Sequence, residues 1–152
     1  MPADERHRQL VEHKLAHTDS YIEELAPYLE GSFEVYSQVS GRRRIVERLA
    51  QVIIENAIDT NNLLLVAKGT CPAPTARASF EALYQQGIID KYLLERFRQT
   101  YVGLRKRIVH DYDVLDNRIV FYSARRLLDD ARSYLAALQG YLSASAKDRS
   151  QQ

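Results

Sequence analysis

The sequence predicts an all-α protein, an antiparallel bundle of four main helices with short helices between them. Three observations point there. Apolar residues recur at alternating spacings of three and four along most of the 152 residues. Glycines, prolines and helix-capping side chains interrupt those stripes at intervals suited to helix ends. No stretch shows the polar–apolar alternation of a half-buried strand. The length suits one hydrophobic core, and 45% hydrophobic with 27% charged residues is ordinary for a globular domain.

The first stripe is Val11, Leu15, Thr18, Ile22, Leu25 and Leu29; Pro27 should bend its last turn and Gly31 should break it. The second helix is expected over residues 40–68 with Gly69 as its stop. It offers two adjacent apolar tracks. One holds Ile45, Leu49, Val52, Asn56, then Asp59 or Thr60, then Leu63 and Ala67; the other holds Val46, Ile53, Ala57 and Leu64. Its middle, "ENAIDTNN" (55–62), pushes polar groups into the apolar face, which is costly unless they are hydrogen-bonded. "GTCPAPTARAS" (69–79) reads as a loop, and the short helix "FEALYQQ" ends at Gly87. Asp90 caps a helix that buries Leu93, Leu94, Phe97, Tyr101, Leu104 and Ile108. Asp113 or Asp116 caps the last helix, whose stripe is Val120, Ala124, Leu127, Ala131, Tyr134 and Leu138. The expected organisation is one domain over residues 1–142, followed by a flexible tail over 143–152.

Net charge is +1, so any nucleic-acid contact must come from a local patch. The single cysteine, Cys71, excludes an intrachain disulfide and fits a reducing, cytoplasmic setting. The opening "MPADERHRQL" has no apolar signal core, and no run is apolar enough to cross a bilayer, so no membrane partner is expected.

One stretch stands out chemically: "LRKRIVHDYD", residues 104–113. It gathers Arg105, His110 and Tyr112 within little more than two helical turns. Arg105 and His110 lie about 140° apart on an ideal helix, able to flank one cleft. The helix should end near His110, letting Tyr112 fold back toward that cleft. Spacing alone equally allows a solvated arginine, a histidine favoured by the helix dipole and a packing tyrosine. Other candidates carry less. His13 and His17 are four apart on the first helix and form half of a metal site, without an evident third ligand. Cys71 lacks a local histidine, and "GRRRIVER" (41–48) reads as a solvated helix start.

Three segments in order resemble one known family. "ERLAQVIIENAIDTNNLLL", "ASFEALYQQGIID" and "LRKRIVHDYDVLD" look like successive segments of the HepT-like toxins of the HEPN superfamily, over residues 44–138. The position after the motif arginine, often Asn in the superfamily, is Lys106 here. The resemblance implies a HEPN-type helical bundle and a metal-independent ribonuclease toxin acting as a homodimer. It implies a minimal nucleotidyltransferase antitoxin (MntA-like) as partner, which adds AMP to the motif tyrosine, and a larger assembly of toxin with antitoxin. Carried over, Arg105 and His110 are catalytic and Tyr112 is the AMP acceptor.

The chemistry fits those residue types. RNA carries its own nucleophile, the 2′-hydroxyl, so cleavage needs a base, an acid and charge stabilisation but no metal or other cofactor. Histidine titrates near working pH, and arginine pairs with the charge that builds on phosphorus. One motif histidine per chain makes a two-fold dimer useful, because two copies then face one cleft. Lys106, Arg107, Arg96 and Arg98 would add positive charge for the RNA backbone. Glu55 and Asp59 share a helix face. One of them would orient Arg105 or His110, or the pair would be a polar plug or dimer contact. The competing reading is a non-catalytic dimeric partner, or nucleotide-binding subunit, of the nucleotidyltransferase.

Overall fold

The computed structural model describes residues 3–110 and 115–151. Among them run seven α-helices: α1 (Ala3–Leu25), α2 (Phe33–Gln38), α3 (Arg42–Ala67), α4 (Ala76–Gln85), α5 (Lys91–Arg96), α6 (Val102–His110) and α7 (Asn117–Ser150). A 3-10 turn, Ala26–Leu29, extends α1 where Pro27 was expected to bend it. A π turn, Phe97–Tyr101, joins α5 to α6, so residues 91–110 form one continuous rod. Four long helical units and the short α2 and α4 make an all-α bundle.

The helix boundaries follow the local chemistry. Ser32, Thr75, Asp90 and Asp116 each accept a hydrogen bond from a backbone N–H of the first turn. Of the two aspartates proposed as the last cap, Asp116 bonds Arg118 N at 2.8 Å, and Asp113 lies outside the described residues. Gly69 closes α3 at φ 84°, a left-handed conformation that glycine adopts without steric cost. The segment expected to fray beyond residue 142 is helical as far as Ser150, and Arg8 of α1 donates to the Leu142 carbonyl at 3.1 Å.

Contacts along the rods set their directions. Lys14 pairs with Asp59 and Arg149 with Glu5, so α1 runs antiparallel to α3 and to α7. Tyr134 reaches Ala57 and Asn61, and the Lys68 ammonium lies over the Tyr141 ring, so α7 runs parallel to α3. The α5–α6 rod touches both, through Arg96 to Asp130 of α7 and Arg105 to Glu55 of α3. It is antiparallel to α7, because only six residues separate His110 from Asn117. The first turns of α3, the last turn of α6 and the start of α7 therefore share one end of the bundle.

Of the two tracks on α3, the core takes all of the second and part of the first. Val46, Ile53, Ala57 and Leu64 are buried, as is Leu49 of the first track, whereas Ile45 is 42% exposed and Val52 and Leu63 are half-buried. The polar insertion resolves into bonds. Thr60 and Asn61 are buried. Asn61 Nδ2 donates to Ser79 Oγ of α4 at 3.1 Å, and its Oδ1 accepts from the Tyr134 hydroxyl at 2.6 Å. Ser79 in turn donates to the Ala76 carbonyl at 2.7 Å. Every polar atom in that chain has a partner, which removes the desolvation cost. Around it stack Phe80 and Phe97, ring centroids 4.6 Å apart, with Tyr134 packed against both.

Asn61→Ala should destabilise the fold by about 1–3 kcal/mol, because it removes two buried hydrogen bonds between helices and leaves Tyr134 only the Ala57 carbonyl and Ser79 only the Ala76 carbonyl. Chemical denaturation with an unchanged slope against denaturant is the measurement; a variant as stable as the parent would show that the amide is not needed.

Candidate active site at the end of α6

Arg105 lies on the side of α6 that meets α3. Its Nε donates to Glu55 Oε1 at 3.4 Å, and both side chains are about one-third exposed. Glu55 Oε1 also accepts from Gln51 Nε2 at 3.0 Å, which holds the carboxylate in place. The two acids on the shared face of α3 thus do different things. Glu55 holds the arginine, and Asp59 pairs with Lys14 of α1 at 3.4 Å. A half-exposed pair such as Arg105–Glu55 contributes little stability, but it restricts where the guanidinium points.

His110 is the exposed last residue of α6, with Arg107 in the same turn. Both sit where a cation is favoured by the carbonyl end of the helix. Lys106 and Arg107 are exposed. Tyr112 lies outside the described residues. The motif's arginine and histidine are therefore both solvent-accessible on the last two turns of one helix.

Two expected neighbours are used elsewhere. Arg96 points away from the motif, into α7, where its Nε bonds Asp130 Oδ2 at 2.9 Å and its Nη2 the Tyr101 hydroxyl at 3.1 Å. Arg98 is held by Glu81 and Glu95. Neither is placed to add charge beside Arg105, because each already meets a carboxylate on its own side of the rod. Asp130 was not singled out from the sequence. It is buried, accepts from Tyr92, Tyr101 and Arg96, and ties α5 and the π turn to α7. The available signal was a carboxylate three residues after Leu127 and four before Tyr134, inside an apolar stripe.

The His13 and His17 rings lie 5.1 Å apart over a shallow 290 Å³ cavity shared with Leu10, Lys14 and Leu63. Among the described residues no three His, Cys, Asp or Glu side chains cluster to hold a metal ion. Cys71 is exposed. Among the described residues no helix is long and apolar enough to cross a membrane.

The profile of the HepT-like family, described as ribonuclease HepT-like, matches residues 18–138. The chain belongs to this family. The match takes in α3, the α5–α6 rod and most of α7, the elements that position Arg105, Glu55 and His110. A HepT-like relative described as a tRNA nuclease, from Aphanizomenon flos-aquae, is 28% identical over 133 residues, covering 88% of this chain and 90% of its own. Two solved structures share the fold. One is a tri-AMPylated Shewanella oneidensis HEPN toxin in complex with MNT antitoxin, with a TM-score of 0.76 and 23% identity over 92% of this chain and 99% of that one. The other is a toxin–antitoxin complex with AMP-PNP, with a TM-score of 0.77 and 23% identity over 87% of this chain and 98% of that one.

The Asp130 cluster sets an alkaline limit on stability. Burial first, and then the hydrogen bond to Asp130, hold the Tyr101 phenol well above its ordinary value; burial, then Glu47, pushes Tyr36 up to about 12. The folded chain thus keeps protons that unfolded tyrosines release near pH 10. Their stabilisation is complete below pH 10 and is lost as pH rises through the folded values. Urea midpoints should fall steadily above pH 10, and Tyr101→Phe should shallow that fall. A midpoint flat to pH 12 would contradict the assignment.

Proposed function

We propose that this chain is the ribonuclease toxin of a two-component toxin–antitoxin pair. It cuts RNA without a metal, and a nucleotidyltransferase partner silences it by adding AMP to Tyr112. The observation that carries the reading is the pairing of an exposed His110 with an Arg105 braced by Glu55 at the end of one helix, in a chain of the HepT-like ribonuclease family. The tRNA nuclease relative supports RNA as substrate, and the AMPylated, antitoxin-bound neighbour supports the mode of control.

In the reaction, one histidine takes the 2′-proton as the oxygen attacks the adjacent phosphorus. A second protonates the departing 5′-oxygen, leaving a cyclic phosphate. Arg105 stabilises the charge gathered on the phosphoryl oxygens through its remaining N–H donors, while Glu55 occupies Nε. Each chain has one motif histidine, so a base and an acid both supplied by His110 require two copies of the chain. Exposed apolar side chains at the same end of the bundle, Ile45, Val109 and Ile119, each more than 40% exposed, favour a homodimer formed there. AMP on Tyr112, two residues beyond His110, would bring a phosphate to the same end, where it would compete with RNA for Arg105.

Two experiments test this. His110→Ala and Arg105→Ala should each lower RNA cleavage by about 100-fold or more and relieve growth arrest on overexpression, with helicity unchanged. Glu55→Gln should retain partial activity, because it loosens the arginine without removing it. Full toxicity of well-expressed His110→Ala would end the catalytic reading. Co-expression with a cognate nucleotidyltransferase should add mass in AMP units to the peptide carrying Tyr112. Tyr112→Phe should remain toxic and escape neutralisation. AMP mapped to another tyrosine would overturn that assignment.

A further inference from the structure

The arginines at the start of α3 lie outside the motif. Residues 42–48 hold four arginines and one glutamate on a chain whose net charge is +1. Arg43 and Glu47 neutralise each other at 2.8 Å. Arg44 and Arg48 are exposed, and neither forms a hydrogen bond or ion pair among the described residues. Glu55 lies seven residues beyond Arg48 and eleven beyond Arg44, so all three fall on one stripe of α3. That stripe faces outward: the buried positions Val46, Ala50, Ile53 and Ala57 lie on the opposite side.

The α5–α6 rod runs antiparallel to α3, and Arg105 meets Glu55. The residues after Arg105, ending at His110, therefore travel alongside the residues before Glu55, which lead back to Arg48 and Arg44. Lys106 and Arg107 on that rod are likewise exposed and outside any ion pair among the described residues. The acids nearest the stripe are already engaged, Glu55 by Arg105 and Gln51, and Glu47 by Arg43. Among the described residues, the exposed charged side chains left over along these two helices are the cations Arg44, Arg48, Lys106 and Arg107. Arg44 and Arg48 are one helical turn apart, about 6 Å along the axis, a step close to that between successive phosphates of a nucleic-acid strand.

We propose that Arg44 and Arg48 form a phosphate-binding track on the outer face of α3, which holds the RNA strand flanking the cut site and leads it to His110. The track reads the backbone, not the bases, because an open helix face presents no pocket for a base edge. This inference rests on the ribonuclease reading above and extends it to residues outside the motif.

The test is salt-dependent binding of fluorescently labelled bulk tRNA to the full chain carrying His110→Ala, so that the RNA survives. Arg44→Gln with Arg48→Gln should weaken binding about tenfold at moderate salt. It should also lower the slope of log affinity against log salt by about 1.4, as expected for two lost contacts to a single-stranded backbone. Arg6→Gln with Lys147→Gln, at the opposite end of the bundle, should change neither. In the otherwise wild-type chain, the track variant should raise KM for tRNA and leave kcat within about twofold, which loss of the catalytic groups would not do. Unchanged affinity and slope, in a chain whose parent binds and cuts RNA, would overturn the track and leave the ribonuclease reading standing. A parent that neither binds nor cuts RNA would overturn both.

Discussion

The buried amide of Asn61 is the constraint on which the rest of the arrangement depends. It gives its N–H to Ser79 of α4 and takes the Tyr134 hydroxyl of α7, so one side chain fixes the rotation of α3 relative to two neighbours. Apolar packing alone would tolerate small slips between helices, because contacts between hydrocarbons are not directional. Hydrogen bonds in a dry interior are, and an unmet partner there is costly. With the rotation of α3 set, Glu55 faces outward at the level where α6 passes, and Arg105 finds it.

Asp130 plays the matching part on the other side of the α5–α6 rod. Its carboxylate gathers Tyr92, Tyr101 and Arg96, and so fastens the rod to α7 ahead of the motif. The rod is held by opposite faces at two levels, by Asp130 near the π turn and by Glu55 one turn into α6. The two motif side chains thus emerge from a braced stem at the free end of the bundle, where charge rather than burial decides what they meet. The same division appears in the arginines. Those along the sides of the rod, Arg96 and Arg98, are consumed by carboxylates, while Arg44, Arg48, Lys106 and Arg107 at the open end meet none among the described residues.

Much was legible in the sequence because its signals are local. Helix periodicity, the caps at Asp90 and Asp116, the stop at Gly69 and the motif from Arg105 to His110 all depend on residues within a few positions of one another. The π turn was less legible, since such a turn has no local sequence signal, and the six-residue α2 is too short to show a stripe.

What only the tertiary structure decided is the choice among equivalent local options. Two apolar tracks on α3 were equally suitable for burial, and the neighbouring helices buried all of the one with Val46 and Ile53 but only Leu49 fully from the apolar residues of the other, leaving Ile45 in solvent. Two acids, Glu55 and Asp59, were equally placed to hold the motif arginine. The antiparallel passage of α6 selected Glu55, and α1 claimed Asp59 through Lys14. Four cations looked available near the motif, and Asp130, Glu81 and Glu95, remote in sequence, removed Arg96 and Arg98 from that set. The sequence by itself determined the helices and their chemistry. Which faces met was decided by partners far along the chain, because the energy of burial and of charge pairing depends on distance in space.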